Sequence, residues 1–438
     1  MDLLQAVQTA GVIGAGGAGF PTHVKLAAKA DVVIVNGVEC EPLLHVDQEL
    51  MATRAEALAL GMAAVLEATG IKAGVFALKN KYHRAEATLL AATGKYPHTG
   101  LFISGDFYPA GDEHVLVHEV TGRTVPPGGI PPEVGAIVLN VETLLNVALA
   151  ATGVPVTTKY VTVTGAVKQP GTFGVPVGVS FQELLSLAGG TNLAEYGLID
   201  GGSLMGRLAS PADPVMKTTN GLLVLPRTHS AIVSRQIPLG VQIRRSAAAC
   251  CNCRMCTDLC PRYLLGHPLE PHRSLNAVAY GQSAPASLLT QAYLCSECGI
   301  CDVFACPMGL SPRQLHVEMK RQLAWAGIAN PYRGMSVEAR RERDWRRIPT
   351  VRMLGRLGLT SYNLAAPLRQ ADIRPERVLL PLRQGVGAPS QPLVKAGDYV
   401  NRGQCIAEPP AGKLGSRLHA SIDGRVVKAG ESIEILAI

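Results

Sequence analysis

Two runs of cysteine carry the chemistry most legible in this chain. Cys250, Cys253, Cys256 and Cys260, followed by Pro261, fit C-x2-C-x2-C-x3-C-P, the spacing with which thiolates hold a pair of [4Fe-4S] cubanes. Cys295, Cys298, Cys301 and Cys306, followed by Pro307, repeat it with one additional residue before the fourth cysteine. Two-residue gaps let three thiolates of one loop wrap a cubane, while the cysteine before proline is carried to the other cluster. The expected ligand sets are therefore crossed: Cys250, Cys253, Cys256 and Cys306 for one cluster, and Cys295, Cys298, Cys301 and Cys260 for the other. A pair of zinc sites is the alternative, but its usual signature is two separated C-x2-C pairs. Cys251, beside Cys250, is surplus and leaves open which of the two is the first ligand. Cys40 and Cys405 stand alone and read as small buried residues.

A second candidate is Gly14-Ala-Gly-Gly-Ala-Gly19, which satisfies G-x-G-x-x-G. A dinucleotide fingerprint follows a strand directly, whereas Leu3 to Thr9 reads as a helix. The bland reading is a tightly packed turn. The functional reading keeps the phosphate without the fingerprint: glycine amides approach an anionic phosphate closely, and Lys25 adds a cation nearby.

The elements that must position these residues follow from patterning. With 438 residues, 47% of them hydrophobic, the chain is expected to form three or four domains. No uninterrupted apolar stretch reaches the roughly 20 residues of a membrane span. Met1 to Gln5 carries no basic region followed by an apolar one, so no export signal is expected and the protein is placed in the cytoplasm. Eleven cysteines in that reducing compartment point to metal ligation rather than disulfides. The net charge of +7 owes much to the stretch Arg333 to Arg377. Glu338, Glu342 and Asp344 are interleaved there, so a solvated helix face is expected rather than a nucleic-acid contact.

From Asp31 to about Thr152, apolar strand runs (32–35, 75–78, 101–104 and 136–139) alternate with helical runs (49–69 and 83–93). This is the pattern of a mostly parallel sheet whose strands are buried on both faces. From Thr157 to about Leu225, the alternation of Tyr160-Val-Thr-Val-Thr164 and a helical run from Phe181 to Leu187 read as a small α+β module. The cysteines then fall in helical, arginine-rich sequence, and from about Pro381 the chain reads as a compact all-β domain.

At this point a family resemblance becomes specific. Gly14 to Lys25, reading GAGGAGFPTHVK, resembles the flavin loop shared by the flavin-bearing subunit of respiratory complex I and the C subunit of the Rnf electron-transport complex. Val35 to Pro42, Tyr108 to Glu113, Val125 to Ile130 and Asn140 to Thr143 match in the same order. Val161 to Gly165 with Gln169 to Gly171 resembles the family's β-grasp, soluble-ligand-binding domain. Pro381 to Gln384, Leu393 to Asp398 and His419 to Gly424 resemble the barrel-sandwich module found at the N-terminus of the Rnf protein. No lysine occupies Ser421 to Gly424, where a lipoyl domain would carry its arm, so a packing or docking role is expected for that module.

The fold class implied is multidomain α/β. It comprises a Rossmann-like FMN/NADH domain (1–156), a β-grasp domain (157–243), a helical ferredoxin-like two-cluster domain (244–370) and an all-β barrel-sandwich domain (371–438). The resemblance implies that Gly14, Gly16, Gly17, Gly19, Lys25, Asn36, Glu39 and Asn140 surround FMN, with Phe20, Glu41 and Glu113 facing a nicotinamide nucleotide. The chain departs from the complex I pattern at Val38, where that pattern is acidic. It departs again at Gly111-Asp112-Glu113, where the pattern is Gly-Glu-Glu, and after Lys25, where an aromatic is replaced by Leu26, Ala27 and Ala28.

The order of domains, flavin first and sandwich last, resembles the cobalamin reductases of bacterial propanediol-utilisation microcompartments, a branch of this family that works without a membrane pump. The resemblance implies transfer from NADH through FMN and two [4Fe-4S] clusters to cobalamin, with an adenosyltransferase consuming the product and a shell protein as docking partner. The alternative is the electron-entry subunit of a membrane Rnf-type ion-translocating complex. His114 and His118, at helical spacing, read as surface or core residues rather than cobalt ligands.

Overall fold

The computed structural model describes residues 2–281, 285–370 and 373–438; residue 371, the expected start of the last domain, lies outside them. Strands β1 (Val32–Gly37), β2 (Ala73–Lys79), β3 (Thr99–Ser104) and β4 (Ala136–Asn140) form one parallel sheet in the order β3-β2-β1-β4. Their apolar runs follow from helices on both faces. Val7, Leu58, Met62, Val65 and Leu144 cover one face, and Val115, Leu116 and Val117 cover the other. From β1 the chain adds β2 and β3 on one side and then crosses back to place β4 on the other, so the carboxyl ends of β1 and β4 flank a topological switch point, where open α/β sheets bind ligands.

Two expectations change here. β3 is an edge strand rather than a strand buried on both faces: Ile103 is exposed and Ser104 is its one fully buried residue. The helix expected over 49–69 is two, Val46–Thr53 and Ala55–Thr69. The backbone leaves helical geometry at Arg54 (φ −127°), which lets Leu50 and Met51 of one helix and Leu58 and Met62 of the other reach the same core.

The second region is built on a six-stranded sheet. Its helix Phe181–Leu187 is set by a reciprocal capping box: the Ser180 hydroxyl accepts from the Glu183 amide and the Glu183 carboxylate accepts from the Ser180 amide. Strand Thr158–Gly165 lies inside this sheet, so the half-buried alternation expected from Tyr160 to Thr164 gives way to near-continuous burial. Thr162 is fully buried and accepts from the His45 amide at 3.0 Å. A short strand, Leu368–Arg369, joins the far edge of the same sheet. The C-terminal region pairs its strands in a four-stranded and a three-stranded sheet around Val378, Leu380, Ile406, Val426 and Ile435.

The arginine stretch is a solvated face only in part: Arg333, Arg341, Arg352 and Arg356 are exposed, but other arginines turn inward. Arg343 and Arg347 both reach Glu119 on helix Glu113–Thr121, Arg346 pairs with Asp258 at 3.3 Å, and Arg340 stacks on the Tyr263 ring at 4.0 Å. Through Glu119, Arg343 and Arg347 fasten the cysteine-bearing region to the first domain. No helix among the described residues is long and apolar enough to cross a membrane.

Candidate functional site

The expected cysteine sets come together crossed. Burial pushes the Cys256 thiol up to about 12, and the neighbouring thiols of Cys306, Cys253 and Cys250 act in the same direction. These four line one depression with Cys251, His272, Met308 and Leu310. In the second set, burial again dominates and pushes Cys260 up to about 12, with Cys295 adding to it. Cys298 and Cys301 are raised further by burial, Cys298 with help from Cys260, and Cys301 with help from Asp302, Cys295 and Cys298. Crowded buried thiols hold their protons until a metal cation replaces them.

No group of three or more His, Cys, Asp or Glu side chains among the described residues is placed to hold a single metal ion.

Backbone geometry sets the register between the two loops. Left-handed residues are uncommon outside glycine, and the first loop has two, Asn252 (φ 54°) and Arg254 (φ 64°). The second has Glu297 (φ 61°) and Gly299 (φ 79°). Superposing these positions pairs Cys250 with Cys295, Cys253 with Cys298 and Cys256 with Cys301; Cys251 falls opposite Ser296. Cys250 (φ −69°, ψ 111°) and Cys295 (φ −70°, ψ 124°) also share one extended conformation. Cys251 is exposed, whereas Cys250 is half-buried. The additional residue of the second motif is absorbed by a π-helical turn over Cys301–Ala305, where the first motif has the α-turn Met255–Asp258. Single π-turns of this kind recur at functional sites.

The glycine loop lies beyond the carboxyl ends of β1 and β4. Asn140 ends β4 and is the register partner of Asn36, one residue before the end of β1. Asn140 caps helix Val141–Ala151, accepting from the Glu142 amide at 2.9 Å. A Cβ on Gly16 would meet the Asn140 amide nitrogen at 2.9 Å, so glycine lets the loop touch the start of that helix. The Ala15 amide donates to the Thr143 hydroxyl at 2.9 Å. Gly16 and Gly17 are exposed, and a Cβ on Gly17 would meet no atom within 4 Å. Exposed glycine amides beside a helix start, with Lys25 at hand, suit a phosphate. Lys25 pairs with Glu113 at 2.8 Å.

Behind the loop lies a buried acidic pair: Glu39, expected in this group, and Asp47, which sequence reasoning missed. The Asn140 amide donates to Asp47 at 2.8 Å, and the Asp47 backbone amide donates to Glu39 at 3.3 Å. Burial first, then the charge of Asp47, pushes Glu39 well above the carboxylate range; burial also raises Asp47. In sequence, Asp47 looks like an ordinary first-turn helix acid, and its burial depends on a partner 93 residues away.

Not every expected residue joins this group. Phe20 lies exposed at the loop's end. Glu41 turns to the second domain, accepting from the amides of Leu204 and Met205 at 2.9 and 2.5 Å, and so is engaged away from Lys25 and Glu113. The first domain also reaches the second cysteine set. The Tyr108 hydroxyl donates to the Cys298 carbonyl at 2.5 Å, and Asp112 pairs with Arg262, two residues past Cys260, at 3.0 Å.

Family comparisons match each of these regions. Residues 7–149 match the Nuo51 FMN-binding domain, 160–208 an SLBB domain, 249–311 a 4Fe-4S dicluster domain and 362–435 the RnfC barrel sandwich hybrid domain. The cobalamin reductase PduS of Citrobacter freundii is 45% identical over 98% of this chain and 94% of its own length. That of Salmonella typhimurium is 44% identical over 98% of this chain and 95% of its own. The C subunit of the Na(+)-translocating ferredoxin:NAD(+) oxidoreductase complex of Acetobacterium woodii is 34% identical over 63% of this chain and 59% of its own length.

Proposed function

We propose that this chain, which belongs to the PduS family of cobalamin reductases, carries electrons from NADH to cobalamin through FMN and two [4Fe-4S] clusters. The observation that carries this reading is the crossed pairing of the two cysteine sets, with the second set fastened to the flavin-type domain through Tyr108–Cys298 and Asp112–Arg262. A bound flavin would accept two electrons from nicotinamide and give them up singly, and the clusters would carry single electrons to cobalt, which takes one at a time.

The chain's own residues set the frame. Gly16 and Gly17 present backbone to the flavin phosphate, with Lys25 as countercharge and Gly14 and Gly19 shaping the turn. Asn36 and Asn140 form the floor, and Glu39 with Asp47 holds a proton beneath it. Glu113 and Phe20 stand at the mouth, where nicotinamide would enter; Glu41, engaged by the Leu204 and Met205 amides, anchors the second domain instead. Cys260, Cys295, Cys298 and Cys301 would hold the cluster nearer the flavin. Cys250, Cys253, Cys256 and Cys306 would hold the one nearer solvent, which makes it the exit toward the corrinoid. An adenosyltransferase that consumes the reduced corrinoid and a microcompartment shell protein are the partners that fit this role.

The test is anaerobic reconstitution with iron, sulfide and FMN, followed by NADH and hydroxocobalamin. The expected result is flavin bleaching, reduced-cluster EPR signals and corrinoid reduction in one preparation. Flavin bleaching with an untouched corrinoid would reject the substrate, and zinc in place of iron would reject the redox reading altogether.

A further inference from the structure

The C-terminal barrel-sandwich domain has no modifiable lysine at its hairpin, yet it packs closely against left-handed backbone of the first domain. Two glycines bracket the flavin loop, Gly11 (φ 68°) and Gly19 (φ 72°), and each is packed on the sandwich domain. A Cβ on Gly11 would collide with the carbonyl oxygen of Arg417, and one on Gly19 would stand 2.7 Å from the Gly385 Cα. The contact is reciprocal, because a Cβ on Gly385 would run into the Gly19 carbonyl. Between them the Val386 amide donates to the Ala18 carbonyl at 3.0 Å.

Lys217 of the β-grasp region ties the same junction together. It is buried, and its ammonium donates to the carbonyls of Gly11 and Arg417, each at 2.8 Å. Its backbone amide donates to the Gln384 side chain at 3.0 Å, and Gln384, itself buried, donates onward to the Pro381 carbonyl at 2.9 Å. Burial brings Lys217 down to about 7. A buried ammonium held by carbonyls alone is an expensive arrangement, and here it joins three domains at the base of one loop.

We propose that the sandwich domain is the back wall of the flavin site: Gln384, Gly385 and Val386, with Lys217, hold the glycine loop in its phosphate-accepting shape. This deepens the FMN reading above and rests on it. The loop's outer amides face solvent, while Ala18 and Gly19 are fixed from behind. Backbone-on-backbone packing leaves no side chain that could yield, so a displacement of Gly385 passes directly to Gly19.

The test uses the full chain, anaerobically reconstituted with iron and sulfide and titrated with FMN. Gly385→Val is expected to weaken FMN binding about tenfold or more, the usual cost of overpacking a close contact. Gln384→Ala, a milder change, is expected to weaken it less. Both should keep the reduced-cluster EPR signals. In flavin-free protein, amide exchange at residues 15–19 should speed up in both variants. Unchanged exchange, or unchanged FMN affinity in folded Gly385→Val, would overturn the proposal. So would simultaneous loss of flavin and clusters in both variants, which marks a general folding role. If wild-type protein fails to bind FMN, the cofactor reading falls, and the exchange comparison still decides whether the sandwich holds the loop.

Discussion

At Cys253 the first cysteine loop is exposed to solvent, whereas its counterpart in the second loop, Cys298, is buried, with the Tyr108 hydroxyl hydrogen-bonded to its carbonyl. The two loops share the spacing of their first three cysteines, extended first cysteines and paired left-handed positions, yet one opens outward and the other packs against Tyr108, Leu43 and Ile348. Exposure and hydrogen bonding to the sulfurs are what a protein uses to set cluster potentials. In the proposed reading, equal ligand sets in unequal surroundings would give transfer a direction, with the buried cluster as the partner of the flavin and the exposed one as the exit.

The strongest way to break this comparison is to remove one ligand from each loop. Cys298→Ser and Cys253→Ser are each expected to lower iron by about half, one cluster of two. Cys298→Ser should also cut the flavin from everything beyond it. NADH would still bleach the flavin, the remaining cluster would stay oxidised, and corrinoid reduction would fall to background. Cys253→Ser should keep an NADH-reducible cluster signal while corrinoid reduction falls. EPR after NADH addition separates the two variants. Identical residual signals would mean that the loops are interchangeable and that burial sets no direction.

A smaller effect tests the register. If the left-handed residues align the loops correctly, Cys250→Ser loses the exposed cluster, while Cys251→Ser, opposite Ser296, keeps full iron and an unchanged EPR line shape. Its stability should stay within about 0.5 kcal/mol of wild type, as for most surface changes. Loss of iron from Cys251→Ser would shift the register by one residue and remove the equivalence on which the comparison stands.

Much of this was legible in the sequence where chemistry depends on short spacing. The cysteine intervals led to the crossed sets, whereas the π-helical turn that absorbs the additional residue before Cys306 was not anticipated from spacing. The family resemblance, rather than spacing, supplied the roles of Asn36, Asn140 and Glu113. What sequence could not supply depends on distant partners. Arg343 looks like part of a solvated charge run until Glu119, 224 residues earlier, neutralises it. Glu41 looks like a nucleotide contact until the backbone of Leu204, 163 residues later, takes it up. The Lys217 junction joins Gly11, 206 residues away, to the last domain. The left-handed turns at Asn252, Arg254 and Glu297 carry no glycine to announce them; the loop closure imposes them.

That imposition gives the finest test of the comparison. Arg254 and Gly299 occupy the same left-handed position, but arginine bears a Cβ there and glycine does not. The left-handed conformation costs an L-residue about 1–2 kcal/mol, offset in part because glycine gives the unfolded chain more freedom to lose. Arg254 contributes an ion pair to Asp258 at 3.5 Å that is half exposed, worth about 0.2–1 kcal/mol, and Asp258 keeps Arg346 as a second partner. Arg254→Gly is therefore expected to stabilise the exposed loop by roughly 0.5 kcal/mol, and Gly299→Ala to destabilise the buried one by about 1 kcal/mol or more. Urea midpoints for iron release, read separately for the two EPR signals, measure both. If Arg254→Gly lowers its midpoint, the ion pair outweighs backbone strain, and the two loops differ in energetics at the one position where their backbones agree most closely.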